Sequence, residues 1–130
     1  MKNIIKLSIV LSIFLFSCTN RNSVENIAKY QGTYRASVNT TPASERQLIV
    51  NTATVKVDEN SSINVLMEAG NAYDKNVDIA KEELTKVNDN SYSAQKDGNS
   101  YTFTFYNDYM NLNIHNTDNS ITDGQLPKVQ

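Results

Sequence analysis

The chain has 130 residues, with 12 basic and 14 acidic side chains, one His, one Cys and no Trp. That length supports one domain with a single modest core. A lone cysteine excludes an intrachain disulfide and Cys-based zinc sites, and the acidic balance excludes the clustered Lys and Arg that a nucleic-acid footprint needs.

The first segment reads as an export leader. Lys2 and Lys6 precede an apolar run of 11 residues, 7–17. That fits a signal peptide and falls short of the about 20 residues of a transmembrane helix. The run ends at Leu15-Phe16-Ser17-Cys18, which resembles a bacterial lipobox. The resemblance implies cleavage before Cys18, a diacylglycerol on its thiol and acylation of the new amine. Two or more acyl chains anchor stably, at about 0.8 kcal/mol per buried methylene. Removing Lys2 and Lys6 from the 12 basic residues leaves 10 against 14 acidic ones, a net charge of −4 for the mature chain. Residues 19–23 are polar and read as the end of a lipidated tether, 18–23. Thr19, rather than Asp, follows the cysteine, which resembles lipoproteins sorted to the outer membrane. The expected location is therefore the bacterial cell envelope, on the outer membrane.

Residues 24–29 allow one helical turn capped by Ser23. From there the chain alternates with period two. Residues 29–38 place Gly32, Tyr34, Ala36 and Val38 on one face. Residues 46–57 form a long strand in which Leu48-Ile49-Val50 interrupts the alternation, predicting a bulge or burial on both faces. A turn at residues 59–61 pairs Val57 with Ile63 and Val55 with Val65 in a strand over 62–69. Residues 73–80 place Tyr73, Val77 and Ile79 on one face, with Lys75 as an interruption. A strand at 83–88 turns so that Val87 meets Tyr92.

The C-terminal half is clearer. Asp97-Gly98 is a strong hairpin signal and pairs Ala94 with Tyr101 and Tyr92 with Phe103. Asn107-Asp108 offers the next two-residue turn, both residues tolerating positive φ. It pairs Phe105 with Met110, Phe103 with Leu112 and Tyr101 with Ile114. The other face carries Thr104 with Asn111 and Thr102 with Asn113. A slip of one residue would destroy this sorting.

These segments, with strands at 91–96, 99–106 and 109–115, give an all-β fold. The expectation is an eight-stranded antiparallel up-and-down meander closed into a small barrel, since closure removes exposed edges. The domain spans 24–115. Residues 116–130, polar and containing Pro127, are expected to fray as a tail.

A short helical turn followed by Gln31-Gly32-Thr33-Tyr34 resembles the opening of lipocalin-like (calycin) barrels. The resemblance implies that Gly32 permits close approach at the barrel base and that Tyr34 plugs it. Tyr34 stands where the family has Trp, and no Arg occurs in the last strands to stack on it.

No catalytic or nucleotide-binding motif is present, so the protein is expected not to be an enzyme and to use no cofactor or metal. His115 falls on an outer face. Asp74-x-Asn76-x-Asp78 imitates the first calcium-loop ligands, but Ile79 stands where Gly is needed and Thr85 where Glu is needed. Glu82-Glu83 reads as a solvated turn. The inward rings Tyr34, Tyr92, Tyr101, Phe103 and Phe105 either line a ligand site or fill the core, and a narrow barrel needs rings to fill it. Tyr106 and Tyr109 flank a turn and either form a contact site or stabilise the hairpin. The expected function is a lipid-anchored binding protein for a small apolar ligand or another envelope component. The alternative is a protein-binding lipoprotein, similar in size and architecture to the lysozyme-inhibitor lipoproteins.

Overall fold

Period-two alternation becomes one antiparallel sheet in the computed structural model, which describes residues 27–44 and 47–130. A 3-10 turn, Ile27–Tyr30, leads into β1, Gly32–Thr41. It is followed by β2 (Ile49–Val57), β3 (Ile63–Glu68) and β4 (Lys75–Ile79). A second 3-10 turn, Lys81–Glu83, leads to β5 (Thr85–Asn88), β6 (Ser91–Lys96), β7 (Asn99–Phe105), β8 (Tyr109–His115) and β9 (Ile121–Val129). The leader, Cys18, the tether and the Ser23 cap lie outside the described residues.

The strand order is β4-β3-β2-β1-β9-β8-β7-β6-β5. Each strand pairs with its neighbour in sequence except at one place. β4 and β5 do not pair, and β9 returns to pair with β1. The sheet curls into a half-barrel, with β4 and β5 as its free edges. The strands define two ends. The base holds the first 3-10 turn, the turns at 58–62 and 88–91, the hairpin at 106–109 and the end of β9. The mouth holds the turns at 69–74, 97–98 and 116–120.

Two expectations are corrected together. There are nine strands among the described residues, not eight, and residues 116–130 are not a frayed tail but include the strand between β1 and β8. β9 was hidden because its inward positions are Thr122, Gly124, Leu126 and Lys128, only one of them a large apolar residue. Gly124 is small for a reason: a Cβ there would come within 2.6 Å of Val38 Cγ1 on β1. Pro127 is tolerated because of hydrogen-bond alternation. The N–H of Lys128 donates to the Asp108 carbonyl beside β8, at 2.8 Å. Successive residues of an antiparallel strand point to opposite sides, so the Pro127 nitrogen faces β1. There the β1–β9 pairing lapses between Tyr34 and Asn39, and no ladder bond is lost to the proline.

The C-terminal registers are as expected. Phe105 opposes Met110, Phe103 opposes Leu112 and Tyr101 opposes Ile114, while Ala94 opposes Tyr101 and Tyr92 opposes Phe103. Val57–Ile63 and Val55–Val65 also pair. Asp97 and Gly98 both have positive φ, 53° and 81°, the signature of a type I′ turn. The Asn107-Asp108 turn forms, with Tyr106 N–H donating to the Tyr109 carbonyl at 2.9 Å, but neither residue is among those with positive φ.

Three local expectations change. β1 starts at Gly32, because the 3-10 turn runs to Tyr30. β2 pairs with β1 without a bulge from Val57 to Ile49. The Leu48-Ile49-Val50 run breaks alternation simply because Leu48 and Val50 face solvent, at 55% and 53% exposed. Val87 does not meet Tyr92; a bulge between Lys86 and Asn88 turns it outward.

Candidate functional site

The five rings named from sequence meet inside the half-barrel. Tyr34, Tyr92, Tyr101, Phe103 and Phe105 are each no more than 1% exposed. Their ring centroids lie 5.7 Å apart for Tyr34–Phe105, 6.2 Å for Tyr92–Phe105 and 6.1 Å for Tyr101–Phe103. At these spacings the rings pack on one another, and they fill the interior as core. Burial pushes the Tyr34 and Tyr92 phenols above their ordinary pKa. The Tyr34 hydroxyl donates to the Tyr30 carbonyl at 2.7 Å. The Tyr92 hydroxyl is buried without a hydrogen-bond partner among the described residues.

The mouth is polar, built where strands end and turns supply Asn, Asp, Ser and Thr. Thr40 and Thr122, fully buried, share a hydrogen bond of 2.7 Å. Asn116 donates to Ser120 Oγ and Thr122 Oγ1, each at 3.0 Å. Asn116 Oδ1 in turn accepts from Lys75 Nζ at 3.2 Å. Lys75 begins β4 at an inward position, two residues before Val77, and its ammonium lies 5.8 Å from the centre of the Tyr101 ring. Burial lowers its pKa, opposed by the charge of Asp118. It forms no ion pair among the described residues.

A cleft of about 330 Å³ opens here, lined by Tyr73, Lys75, Asp97, Asn99, Asn116 and Asp118 among others. Two of its aspartates are spent on the fold. Asp74 accepts from the backbone N–H groups of Ala69 and Gly70, both at 2.8 Å, and from Asn51 Nδ2 at 3.0 Å. Asp118 accepts from the Ser120 hydroxyl and backbone N–H and from the Tyr73 hydroxyl at 2.7 Å. Those hydrogen bonds hold its carboxyl at about 2. Lys75 is different: an ammonium has three donors, and one is used.

From sequence alone Lys75 reads only as an interruption of the alternation. A lysine at an inward, strand-starting position was the available signal, since a charge there needs either partners or an opening.

Other sequence candidates do not converge. Asn76 and Asp78 accept hydrogen bonds from Asn64 of β3, at 2.9 and 2.7 Å, away from the Asp74 loop. Among the described residues no group of three or more His, Cys, Asp or Glu is placed to hold a metal. His115 is exposed beside Ser100 and Ile121. Glu83 caps the second 3-10 turn at Ala80 and pairs with Lys96 at 2.8 Å. A further cleft of about 490 Å³ along β6 and β7 is lined mainly by Ser, Thr and Gln side chains.

The base has a different character. Lys128 Nζ lies 5.8 Å from the Tyr34 ring centre, and Lys29 Nζ lies 5.1 Å from that of Tyr30. The sequence offered no Arg for Tyr34; a lysine from the unexpected strand β9 covers it. Gly32, at φ 148°, leaves room for the Lys128 chain, since a Cβ there would lie 2.5 Å from its Cε. Tyr30 stacks on Phe105 at 4.7 Å, and Tyr106 stacks on Tyr109 at 4.6 Å. Two adjoining clefts, about 250 and 400 Å³, share Tyr30, Tyr106 and Asn107.

The chain matches no protein-family model, no curated protein and no solved structure.

Proposed function

We propose that the protein is a non-enzymatic, lipid-anchored lipoprotein of the cell envelope, at the outer membrane, that binds a small zwitterion at the mouth of its half-barrel. A lipocalin-like descent of the domain is part of this reading, supported by the Gly32-Thr33-Tyr34 opening and the cation over Tyr34. The observation that carries the binding site is Lys75: half-buried, short of partners and open to a cleft. A ligand carboxylate offers what the ammonium lacks, and charge-assisted hydrogen bonds are the strong ones. Asp97 on the same cleft favours a ligand amine beside it. The volume, about 330 Å³, suits a molecule of amino-acid size. The apolar ligand expected inside the barrel competes with rings that already occupy that space, and of these Tyr101 alone comes near the mouth, with its ring centre 5.8 Å from the Lys75 ammonium.

Calorimetric titration of the full chain with free amino acids and dipeptides tests the reading. Binding that Lys75→Met removes, while the melting temperature holds, supports it. Equal binding by wild type and variant, or none by either, refutes it. The protein-binding alternative draws on Leu48, Val50 and Ile121, exposed on the outer face near the mouth. It requires a partner whose binding is lost in Val50→Lys and kept in Lys75→Met.

A further inference from the structure

We infer that the base of the half-barrel rests on the headgroup layer of the membrane, so that the mouth points away from the lipid. The inference rests on the lipid anchor at Cys18 and adds an orientation and a contact surface to it.

Three observations converge. The first is reach. Eight residues separate Cys18 from Ile27, and a fully extended chain spans at most about 3.6 Å per residue. Ile27 is buried under the base, so the base, not the mouth, is held within roughly 30 Å of the lipid. The second is chemistry. Tyr30, Tyr106 and Tyr109 stand at this end beside Lys29 and Lys128. Tyrosines with one wet edge and lysines with apolar stems are the side chains that favour the membrane–water interface. Tyr106 is 38% exposed although it is large and apolar over most of its surface. The third is charge. Lys29, Arg35, Lys56, Lys86 and Lys128 stand toward the base and balance Asp58, Glu59, Asp78, Asp89 and Asp108 there. The mouth half carries Glu68, Asp74, Asp97, Asp118 and Asp123 against Lys75 and Lys96, and Lys96 is already paired with Glu83. An anionic leaflet repels the acidic mouth and not the balanced base, where Lys29 and Lys128 line one cleft together.

The two clefts at the base give the contact a defined shape. Lys29 and Lys128 flank the smaller one, where a headgroup phosphate would find two ammonium groups. The occupant is thus the phosphate layer of the bilayer. Its hydrocarbon interior is not involved, because the rings that reach this surface carry hydroxyls.

The test uses the full-length lipoprotein in vesicles of phosphatidylethanolamine and phosphatidylglycerol. Acylated Cys18 does not react with thiol reagents, so spin labels attach singly at Asn107→Cys on the base hairpin or Glu68→Cys near the mouth. A nickel-chelating lipid relaxes labels near the headgroups. The expected result is severalfold stronger relaxation at position 107 than at position 68, with the contrast reduced in Lys29→Glu/Lys128→Glu. Equal relaxation at the two sites of wild-type charge, or stronger relaxation at 68, overturns the inference. Intact mass and vesicle flotation separate the two failures. A lipidated, floating protein with equal relaxation loses the orientation and keeps the anchor. A chain that carries no lipid and does not float loses both.

Discussion

Phe103 shows how much one ring contributes. It is fully buried between Tyr92 and Leu112 on the neighbouring strands and stacks with Tyr101. Phe103→Ala should cost about 3–5 kcal/mol, since the rigid wall of rings cannot collapse into the space left. Against a total of about 5–15 kcal/mol, thermal unfolding should show a barely folded variant. A loss below about 1 kcal/mol would mean that the ring faces a void rather than neighbours. Asp118 makes a prediction of a different kind. Its carboxyl is held at about 2, below the ordinary 3.8, so the folded state favours its charged form. That stability is present above pH 4 and is lost as pH falls toward 2. Asp118→Asn should therefore be less stable than wild type near neutrality, and the gap between their urea midpoints should close below pH 3. A constant gap from pH 6 to pH 2 would exclude the carboxylate as its cause. Side chains of this kind differ in legibility. The rings were readable because period two fixes the face of every residue once two turns agree. Lys75 was not, because its inward position reads as a fault in the pattern until the mouth is seen to open beside it.

At the scale of elements, the Asp97-Gly98 turn and β9 mark the two extremes. The turn was legible because its chemistry is local: positive φ at two successive residues selects Asp-Gly almost regardless of context. Gly98 has φ 81°, and a Cβ there would also lie 2.7 Å from Thr117 Cγ2. The threonine methyl can move, so backbone strain dominates. Gly98→Val should destabilise by more than the roughly 1 kcal/mol of an ordinary glycine substitution, whereas Gly98→Asn, which tolerates positive φ, should stay within it. Urea midpoints for the pair check this, and equal losses would shift the cause from backbone to side-chain size. β9 was illegible because everything that makes it a strand is non-local. Its inward Gly124 answers Val38, its inward Lys128 answers Tyr34 and Gly32, and its proline is harmless only because the chain beside it has let go. Read alone, the same residues are polar and carry a breaker.

The whole molecule depends on that strand. β9 is the middle of nine, joining the four strands β1 to β4 to the four strands β5 to β8. β4 and β5 do not pair, so no backbone ladder crosses the slit, and the links there include side-chain hydrogen bonds, Lys75 to Asn116 and Tyr73 to Asp118 among them. Removing residues 121–130 would take away the buried side chains Thr122 and Leu126 and strip the hydrogen-bonded flanks from both β1 and β8. Two long edges would then face solvent at once, an arrangement prone to pairing with other chains. A frayed tail would behave otherwise, since its loss removes no packed group. The truncated chain is therefore expected to lose its single cooperative unfolding transition and to elute from a sizing column as higher oligomers. A truncated chain that stays monomeric with the melting temperature of the full chain would mean that side-chain links such as Lys75–Asn116 hold the two four-strand halves together without a ladder between them.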